Sequence, residues 1–534
     1  MPARRHAHGG RSQYFIEGEG IKTVVLNLAH RMGDLPMLAA AGQLPLTIVP
    51  PPPDPAREFR FCRMFPALSP FEPDDDGLIE LGRRMEDPDG APAGDASIPA
   101  GMTYLGQFID HDITLDLTDP FPTAALNPQD IENGRSPSLD LDNVYGFGPS
   151  HPLNTVPYEA DQIHLTVGQT TGRTLFNVPD SFPNDLPRNP AIGTDPRQAR
   201  IGDPRNDENL AVAQTHVAFL KFHNKVADSL PFGTTDPFRA AQRTVRQHYQ
   251  SVVLHDFLPR LVDPTTYHDV LQHGRRFFMA NGIPSGQPLC MPVEFSVAAY
   301  RLGHSLIRNA YQWNKVFRTG GPGPAASLDL LFEFSEVSTH LGLFAEPTIP
   351  SDWIIRWNGF HDFTGIPDIA NHPEFNFARK IDTRLARRLD NLPEFAAQIE
   401  VHMRSLAARN LLRGKFIGLP TGQAVANEIA VISLTPAQIA TGPLASIITA
   451  RGFDTLTPLW FYILKEAEVI ENGERLGPVG SRILVETFHA LVEGSDDSIL
   501  QTPGWKPTLQ SVSPDKFTFA DLLAFVDDIN PIGN

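Results

Sequence analysis

The stretch MTYLGQFIDHDITLDLTDP at residues 102–120 places ionisable side chains in a run that is otherwise rich in apolar residues. If YLGQFIDHDI is helical, Gln107, Asp110 and His111 stand at positions i, i+3 and i+4 and share one face, while Asp112 points elsewhere. An imidazole in such a group is suited to moving protons near neutral pH. A solvated or capped helix end is the alternative interpretation.

A second cluster lies in GDPRNDENLAVAQTHVAFLKFHNKVAD, at residues 202–228. Arg205 and Glu208 are three positions apart, so near the start of a helix they can face one side together. A guanidinium stays charged at any relevant pH and can stabilise charge that develops in a reaction. A helix cap or a surface ion pair is the alternative.

Two further pairs of residues are each one helical turn apart. In AAYRLGHSLIRN, His304 lies among small and apolar residues with Arg301 before it, and in LAARNLLRGKFIGLP, Asn410 precedes Arg413. The functional interpretation makes His304 a ligand. The alternatives are a core histidine for the first pair and an exposed helix end for the second.

The stretch RSPSLDLDNVYG alternates oxygen-bearing side chains at Ser136, Ser138, Asp140 and Asp142. In an extended segment alternate residues share one face, so these oxygens can converge. Hard cations such as Ca²⁺ need oxygen ligands, although the loop length and bidentate Glu of an EF-hand are missing here. A calcium site and an ordinary turn therefore both stay open.

The elements that position these clusters are mainly α-helical. Apolar residues recur with helical periodicity at 209–230, 237–262, 295–311 and 484–494, whereas Pro and Gly cluster in loops at 49–55, 88–99 and 179–196. Convincing alternating strands are scarce. We expect an N-terminal arm over residues 1–60 and one large helical domain with long irregular loops over residues 61–534.

Composition narrows the possible functions and locations. Of 534 residues 41% are hydrophobic, enough for a large core, and the formal charge of −18 argues against nucleic acid as a partner. Cys62 and Cys290 are too few for a disulfide framework, and a single bridge between them stays open. No transmembrane segment or signal peptide is visible, so we expect a protein that is cytoplasmic or exported without a signal. We also expect a monomer.

Five motifs, taken together and in order, resemble the animal-type haem peroxidases of the peroxidase–cyclooxygenase superfamily. They are GQFIDHDIT, RSPSLDLDNVYG, GDPRNDENL with THVAFLKFHNKVA, YRLGHSLI, and RNLLRGKFIGLPTGQ. The resemblance covers roughly residues 60–525. It implies a mainly α-helical fold, haem b and Ca²⁺ as cofactors, and hydrogen peroxide with small donors such as iodide, bromide, thiocyanate or phenols as substrates.

The same resemblance implies a role for each clustered residue. The distal catalytic residues are matched by His111, Gln107 and Arg205. The proximal iron ligand is matched by His304, and the residue hydrogen-bonded to its other ring nitrogen by Asn410. Carboxylates ester-linked to haem methyls are matched by Asp110 and Glu208, positions near the haem propionates by Arg301 and Arg413, and the calcium site by Asp112, Ser136, Ser138, Asp140 and Asp142.

Three positions depart from the family pattern. Asn209 stands where the chloride-oxidising myeloid member has a methionine that forms a third covalent bond, so that bond and chloride oxidation are not expected. GKFIGLP follows Arg413 in place of the commoner SRDHGLP, and Asp142 replaces a frequent serine, which makes the calcium loop more anionic.

Two other functions compete with a peroxidase. The fatty-acid dioxygenases of the same superfamily carry a radical tyrosine three residues before the proximal histidine, a position held here by Arg301, with Tyr300 one residue further back. A calcium-stabilised interaction module without enzymatic activity requires the loss of a catalytic group, and the sequence retains all of them.

Overall fold

Helices dominate the computed structural model, which describes residues 13–16, 20–23, 59–86, 94–116, 124–151, 154–189, 198–283, 289–333, 348–390 and 404–533. The α-helices are α1 (Asp75–Met85), α2 (Gly101–Ile113), α3 (Asp142–Tyr145), α4 (Leu210–Asp228), α5 (Pro237–Val252), α6 (Leu258–Leu261), α7 (Pro264–His273), α8 (Val293–Ser296), α9 (Gly303–Leu306), α10 (Leu328–Glu333), α11 (Leu406–Phe416), α12 (Gly422–Glu428), α13 (Pro436–Ile439), α14 (Ala445–Ala450), α15 (Leu459–Ile470), α16 (Pro478–Gly494) and α17 (Phe519–Val526). Helical turns of 3-10 type span Pro128–Asp130, Pro204–Asp207, Ala299–Leu302, Ser351–Trp353, Trp357–Gly359 and Arg387–Asp390. The π-helical segment Val253–Phe257 joins α5 to α6. The expectation of a mainly α-helical fold is confirmed.

The described strands are short and pair in twos. Strand β1 (Gln13–Ile16) is antiparallel to β2 (Gly20–Thr23), β3 (Phe61–Cys62) is parallel to β5 (Met291–Pro292), β4 (Asp95–Pro99) is antiparallel to β8 (Phe377–Arg379), and β6 (Ala310–Tyr311) is antiparallel to β7 (Ala326–Ser327). Most of residues 1–58 lie outside the described residues, so the boundary at residue 60 stays a prediction.

Helix α2 carries the IDHDI motif and packs against α4. Helix α4 is buried along most of its length because apolar residues occur on all its faces, as expected for a core helix. Asn209 begins α4, since its Oδ1 accepts the Val212 N–H at 3.0 Å. Helix α2 ends where Thr114 Oγ1 donates to Asp110 Oδ1 at 2.7 Å. Helix α2, which carries the motif, and helix α4, which packs against it, therefore both lie in the core.

Helix α11 packs closely on α1 at Gly82, where a Cβ would lie 2.5 Å from Ala408 Cα. Only glycine permits this approach of two backbones. Asn410 and Arg413 of the same helix are also buried, at 1% and 7% exposure. The alternative interpretation of these two residues as an exposed helix end is therefore wrong.

The helix expected over residues 295–311 is not continuous, and this prediction is wrong. The chain instead forms α8, the turn Ala299–Leu302 and α9, and then enters β6. Ala298 leaves the helical region with φ −127° and ψ −77°. Residues of the segment are buried on several sides, so apolar spacing here reflects burial and does not require one amphipathic helix. The other three helical predictions agree with α4, with α5 continuing to α6, and with α16.

Cys62 and Cys290 form a disulfide with a Cα to Cα distance of 5.7 Å. The bridge lies beside the β3–β5 pair and joins residues that are 228 positions apart. It answers the question that the sequence left open. Among the described residues, no helix has both the length and the apolar character needed to cross a bilayer.

Candidate active site

A cavity of about 1490 Å³, its mouth included, brings three of the sequence clusters together. Its lining includes Gln107, Asp110, His111, Arg205, Glu208, Arg301 and His304. Most of the remaining wall is apolar, with Phe257, Leu302, Leu306 and Phe332 among its residues. His111 is 2% exposed, so the interpretation of IDHDI as a solvated surface is wrong. Few polar groups in an apolar cavity are typical of a ligand or cofactor site.

On the α2 side of the cavity, Gln107 is held at both ends of its amide. Its Nε2 donates to Glu208 Oε2 at 3.2 Å, and its Oε1 accepts from Asn209 Nδ2 at 2.9 Å. His111 Nε2 lies 4.0 Å from the same Glu208 oxygen. Asn209 therefore has two functions, because it caps α4 and orients Gln107.

Arg205 lies on the turn Pro204–Asp207, where the sequence analysis expected the start of a helix. Its guanidinium donates to both Asp203 carboxylate oxygens and, through Nη2, to the carbonyl oxygens of His111 at 3.2 Å and Thr114 at 2.7 Å. These bonds tie the arginine to the end of α2. Although burial opposes ionisation of Asp203, Arg135 and Arg205 hold its pKa well below the ordinary range.

Two residues behind His111 were not predicted from the sequence. Asn206 Oδ1 lies 2.9 Å from His111 Nδ1, and Asn206 Nδ2 lies 2.9 Å from His216 Nδ1. Asn206 and His216 are fully buried. The signal that could have found them is the position of Asn206 beside Arg205 and the pair of histidines one heptad apart, His216 and His223, on a buried helix.

Across the cavity lining from α2, His304 contacts Asn410 as expected, with 2.9 Å between Asn410 Nδ2 and His304 Nδ1. Arg301 Nη1 donates to Asn410 Oδ1, which leaves Nδ2 of the amide facing the ring. For Asn410 to accept a proton from His304 Nδ1, the amide has to turn over by rotation about its side chain.

The charges around His304 fit a haem group. Burial, reinforced by Arg301 and Arg409, lowers the pKa of His304 to about 3, so the imidazole is neutral and able to ligate a metal. Burial and the neighbouring Arg413 lower the pKa of Arg301 to about 10. An anionic group beside these two arginines, such as a propionate, relieves that repulsion. Arg413 also pairs with Asp116.

The acidic cluster predicted as a calcium site is present and buried. Asp112, Asp140 and Asp142 each place a carboxylate oxygen within 4.8 Å of the others. Burial raises the pKa of Asp112 well above its usual value, and Asp140 and Asp142 raise it further. Among the described residues, Asp140 Oδ1 accepts no hydrogen bond. A cation bound by this hard oxygen set neutralises the repulsion, so the residues fit Ca²⁺.

The serines of this cluster do not follow the extended geometry that the sequence predicts. Leu141 has φ 60° and Asp142 begins α3, so the segment turns instead of alternating. Ser136 Oγ and Ser138 Oγ both donate to Asp140 Oδ2, at 2.9 and 2.6 Å. In this turned segment the two hydroxyls therefore orient the Asp140 carboxylate.

Arg135 connects the acidic cluster to Arg205. Its guanidinium is fully buried and donates to Asp142 Oδ1 at 3.1 Å, to Asp203 Oδ2 at 2.9 Å and to the Gly202 carbonyl at 2.9 Å. Asp203 in turn binds Arg205. The extra carboxylate at position 142 is thus matched by a buried arginine, which the sequence analysis did not identify.

Comparison with known proteins identifies similar sequences. A family model described as animal haem peroxidase matches residues 117–422, more than half of the chain. A peroxidase-like protein of Margaritifera margaritifera is 29% identical over 301 residues, covering 48% of this chain and 37% of that protein. Thyroid peroxidase of Canis lupus familiaris is 25% identical over 203 residues, covering 34% of this chain and 20% of that protein. The chain thus spans less than half the length of these relatives.

Two solved structures share the fold. Peroxidase A from Dictyostelium discoideum has a TM-score of 0.58 and 16% identity, covering 89% of this chain and 94% of that chain. A fatty acid alpha-dioxygenase from Arabidopsis thaliana has a TM-score of 0.58 and 14% identity, covering 89% and 79%. At these identities the likeness shows the fold, and it confirms the expected fold class.

Proposed function

Because the chain belongs to the animal haem peroxidase family, we propose that it is a haem peroxidase that reduces hydrogen peroxide and oxidises small donors, namely iodide, bromide, thiocyanate or phenols. Family membership supports an oxidoreductase and implies a haem cofactor. The observation that carries the proposal is the single cavity whose lining contains His111, Arg205 and Gln107 together with His304.

In this proposal His304 is the protein ligand of the haem iron, and Asn410 holds its second ring nitrogen. Arg301 and Arg413 receive the propionates. Haem, when bound, supplies the iron that activates peroxide and stores the oxidising equivalents. The apolar wall lowers the local dielectric constant and so strengthens the electrostatic interactions inside the site.

His111 is the proton carrier of the proposed reaction. Its Nε2 accepts a proton from one peroxide oxygen and returns it to the other, which leaves as water. Arg205 stabilises the charge that develops on the leaving oxygen, and its bonds to Asp203 and to the end of α2 keep it in place. Gln107 orients peroxide beside His111.

The deciding experiment measures the reaction with peroxide. Purified protein with haem should show an intense Soret band and oxidise a phenolic donor with hydrogen peroxide. His111→Ala should retain haem and react with peroxide more slowly by roughly 10²–10⁴-fold, since base assistance is lost. An unchanged rate shows that another base acts. A donor screen then identifies the preferred substrate, and chloride should not be oxidised because Asn209 replaces the methionine.

Asp110 and Glu208 are proposed to form esters with haem methyl groups. Both line the cavity, and burial raises the pKa of Asp110. After exposure to peroxide, acid–organic extraction should leave haem on the chain. Asp110→Asn and Glu208→Gln should each lose one bond, and the double variant should release all of its haem. Complete extraction from the unaltered protein contradicts the tether.

Calcium is proposed to bind Asp112, Asp140 and Asp142, with Ser136 and Ser138 in the surrounding loop. Asp112 is adjacent to His111, so loss of the ion should loosen α2 and lower activity together, because metal binding energy is also folding energy. Elemental analysis before and after chelation should show about one calcium per chain leaving. Constant Soret absorption and turnover after calcium has left contradict a supporting role.

A fatty-acid dioxygenase is the second candidate, and the observation that favours it is the position of Tyr300. This tyrosine lines the cavity, and its hydroxyl donates to the Gly106 carbonyl of α2 at 3.0 Å. Arg301 nevertheless stands where those enzymes have their tyrosine. Oxygen uptake with a fatty acid, abolished by Tyr300→Phe, indicates a dioxygenase. Absence of any Soret band indicates the non-enzymatic calcium-stabilised module.

A further inference from the structure

Behind the cavity wall, three buried side chains form a hydrogen-bonded row. His111, 2% exposed, is followed by Asn206 and His216, both fully buried. The distances from His111 Nδ1 to Asn206 Oδ1 and from Asn206 Nδ2 to His216 Nδ1 are both 2.9 Å. Of the three, only His111 is among the described residues that line the cavity. The row therefore acts on the cavity only through His111.

The orientation of the Asn206 amide gives the row a direction. An amide oxygen only accepts hydrogen bonds and an amide NH₂ only donates them. With Oδ1 facing His111, the proton of the neutral imidazole is on Nδ1, and the lone pair of Nε2 is directed away from Asn206. The NH₂ end needs an acceptor, which a neutral His216 provides through Nδ1. Burial lowers the pKa of His216 to about 3, so it remains neutral.

The local backbone explains why Asn206 lies at this place. The turn Pro204–Asp207 directs Arg205 into the cavity lining, and the next residue, Asn206, lies behind His111. The Asn206 N–H donates to the Asp203 carbonyl at 3.1 Å. His216 is held on α4, where the ring of Phe108 packs edge-on against it at 5.9 Å. Asn206 and His216 are therefore both held on buried elements.

We infer that Asn206, oriented by His216, is a positioning residue that keeps His111 in the Nδ1–H tautomer, in which Nε2 carries no proton and can accept one. The inference rests on the proposed function in one respect, the role of His111 as proton acceptor. The tautomer itself is a property of the protein that can be measured without peroxide.

The first measurement is the tautomer. Holoprotein labelled with ¹⁵N-histidine, in the ferrous state with carbon monoxide bound, distinguishes protonated from unprotonated ring nitrogens, and subtraction of a His111→Gln spectrum assigns the signal. The unaltered protein should show Nδ1–H. In Asn206→Leu, which cannot hydrogen-bond, the signal should become a mixture of tautomers. A His111 signal with the proton on Nε2 in the unaltered protein overturns the inference.

The second measurement separates positioning from general damage. Asn206→Leu should react with peroxide about 10–100-fold more slowly, a part of the roughly 10²–10⁴-fold that a general base contributes. Its association with carbon monoxide, which needs no proton transfer, should change less than about twofold. Asn206→Asp keeps an acceptor for His111 and should recover most of the peroxide rate. Equal slowing of both reactions indicates a merely structural role and overturns the inference.

The matched pair of histidines on α4 completes the test. His216→Phe removes the acceptor of Asn206 and should slow the peroxide reaction by about 3–10-fold. His223, one heptad later and also buried, bonds instead to the Tyr145 hydroxyl and the Ile163 carbonyl. His223→Gln should leave the rate within about twofold. Equal effects of both changes contradict the inference. An unaltered protein with Nδ1–H but no peroxide reaction contradicts the proposed function and supports the tautomer assignment.

Discussion

At the scale of single residues, His304 and Asn209 carry the clearest consequences. His304 is a neutral, buried imidazole in the cavity wall, held by Asn410 and surrounded by arginines that disfavour its protonation. Asn209 connects a helix cap to the orientation of Gln107. Each side chain contacts more than one group, so substitutions at these positions should affect haem binding, stability and the reaction with peroxide to different extents.

Replacing His304 with Ala should remove the proposed bond to iron, so haem should be retained poorly unless ester bonds hold it. Haem content per chain and the ferric spectrum measure this, and added imidazole should occupy the vacated space and restore the spectrum. His361→Leu, which removes a buried histidine outside the cavity lining, is the control. Full haem occupancy with an unchanged spectrum in His304→Ala contradicts the ligand assignment.

Asn209→Ala should lower the free energy of unfolding by about 1 kcal/mol, because the N-cap of α4 is lost. Asn209→Asp keeps the cap and should cost less stability, yet it also removes the donor to Gln107. Both variants should therefore react more slowly with peroxide. Urea unfolding and peroxide kinetics measure the two effects. Thr518→Ala, which removes the cap of α17, should lower stability without slowing the reaction.

At the scale of elements, the loop from Arg135 to Asp142 couples the end of α2 to the turn before α4. Arg135 is shared between Asp142 and Asp203, and Asp203 binds Arg205. All four groups are buried, so each depends on its neighbours for compensation of charge. The acidic cluster and Arg205 are therefore parts of one electrostatic unit.

Arg135→Met should lower the free energy of unfolding by about 3–5 kcal/mol, because two buried carboxylates lose their cation. In the double variant, Asp142→Ser also removes one of those carboxylates and should recover part of the lost stability. Urea unfolding of the two single variants and the double variant, at fixed calcium concentration, measures the coupling between the residues. Costs that simply add contradict a shared electrostatic unit.

At the scale of the whole molecule, buried histidines contribute to the loss of stability in acid. Burial lowers the pKa values of His216, His304 and His361 to about 3. Because these folded-state values lie below the unfolded value, the unfolded chain binds protons first as the pH falls. The stability that these neutral, buried histidines contribute is therefore fully present above about pH 6.5 and is lost progressively as the pH falls to about 3. Glu466 acts in the opposite direction, since burial raises its pKa to about 8.

His361 offers a direct test of this linkage. Each buried histidine should steepen the fall of the unfolding free energy by about 1.4 kcal/mol per pH unit between these limits. His361→Leu should remove one such contribution, whereas His268→Gln, at an exposed position, should not. Urea unfolding at a series of pH values from 4.5 to 6.5 measures the slopes. Equal slopes for His361→Leu and the unaltered protein contradict the linkage.

The local arrangements of this protein follow from its sequence. Gln107, Asp110 and His111 share a face because helical periodicity is a local property, and the one-turn spacing that brings Arg301 towards His304 survives although the helix there is broken. The motifs also predicted the buried acidic cluster at Asp112, Asp140 and Asp142. Spacing between near neighbours was sufficient for the first two of these predictions, whereas the family resemblance, and not spacing, assigned Asp112 to the acidic cluster.

Only the tertiary structure decided which groups meet across the chain. Asn206 lies 95 positions from His111, Arg135 lies 68 positions from Asp203, and Arg301 reaches Asn410 over 109 positions. The break of residues 295–311 and the pairing of Cys62 with Cys290 belong to the same class. The reason is physical: such contacts depend on how buried helices pack over the whole core, and periodicity within one segment carries no information about the partner that another segment supplies.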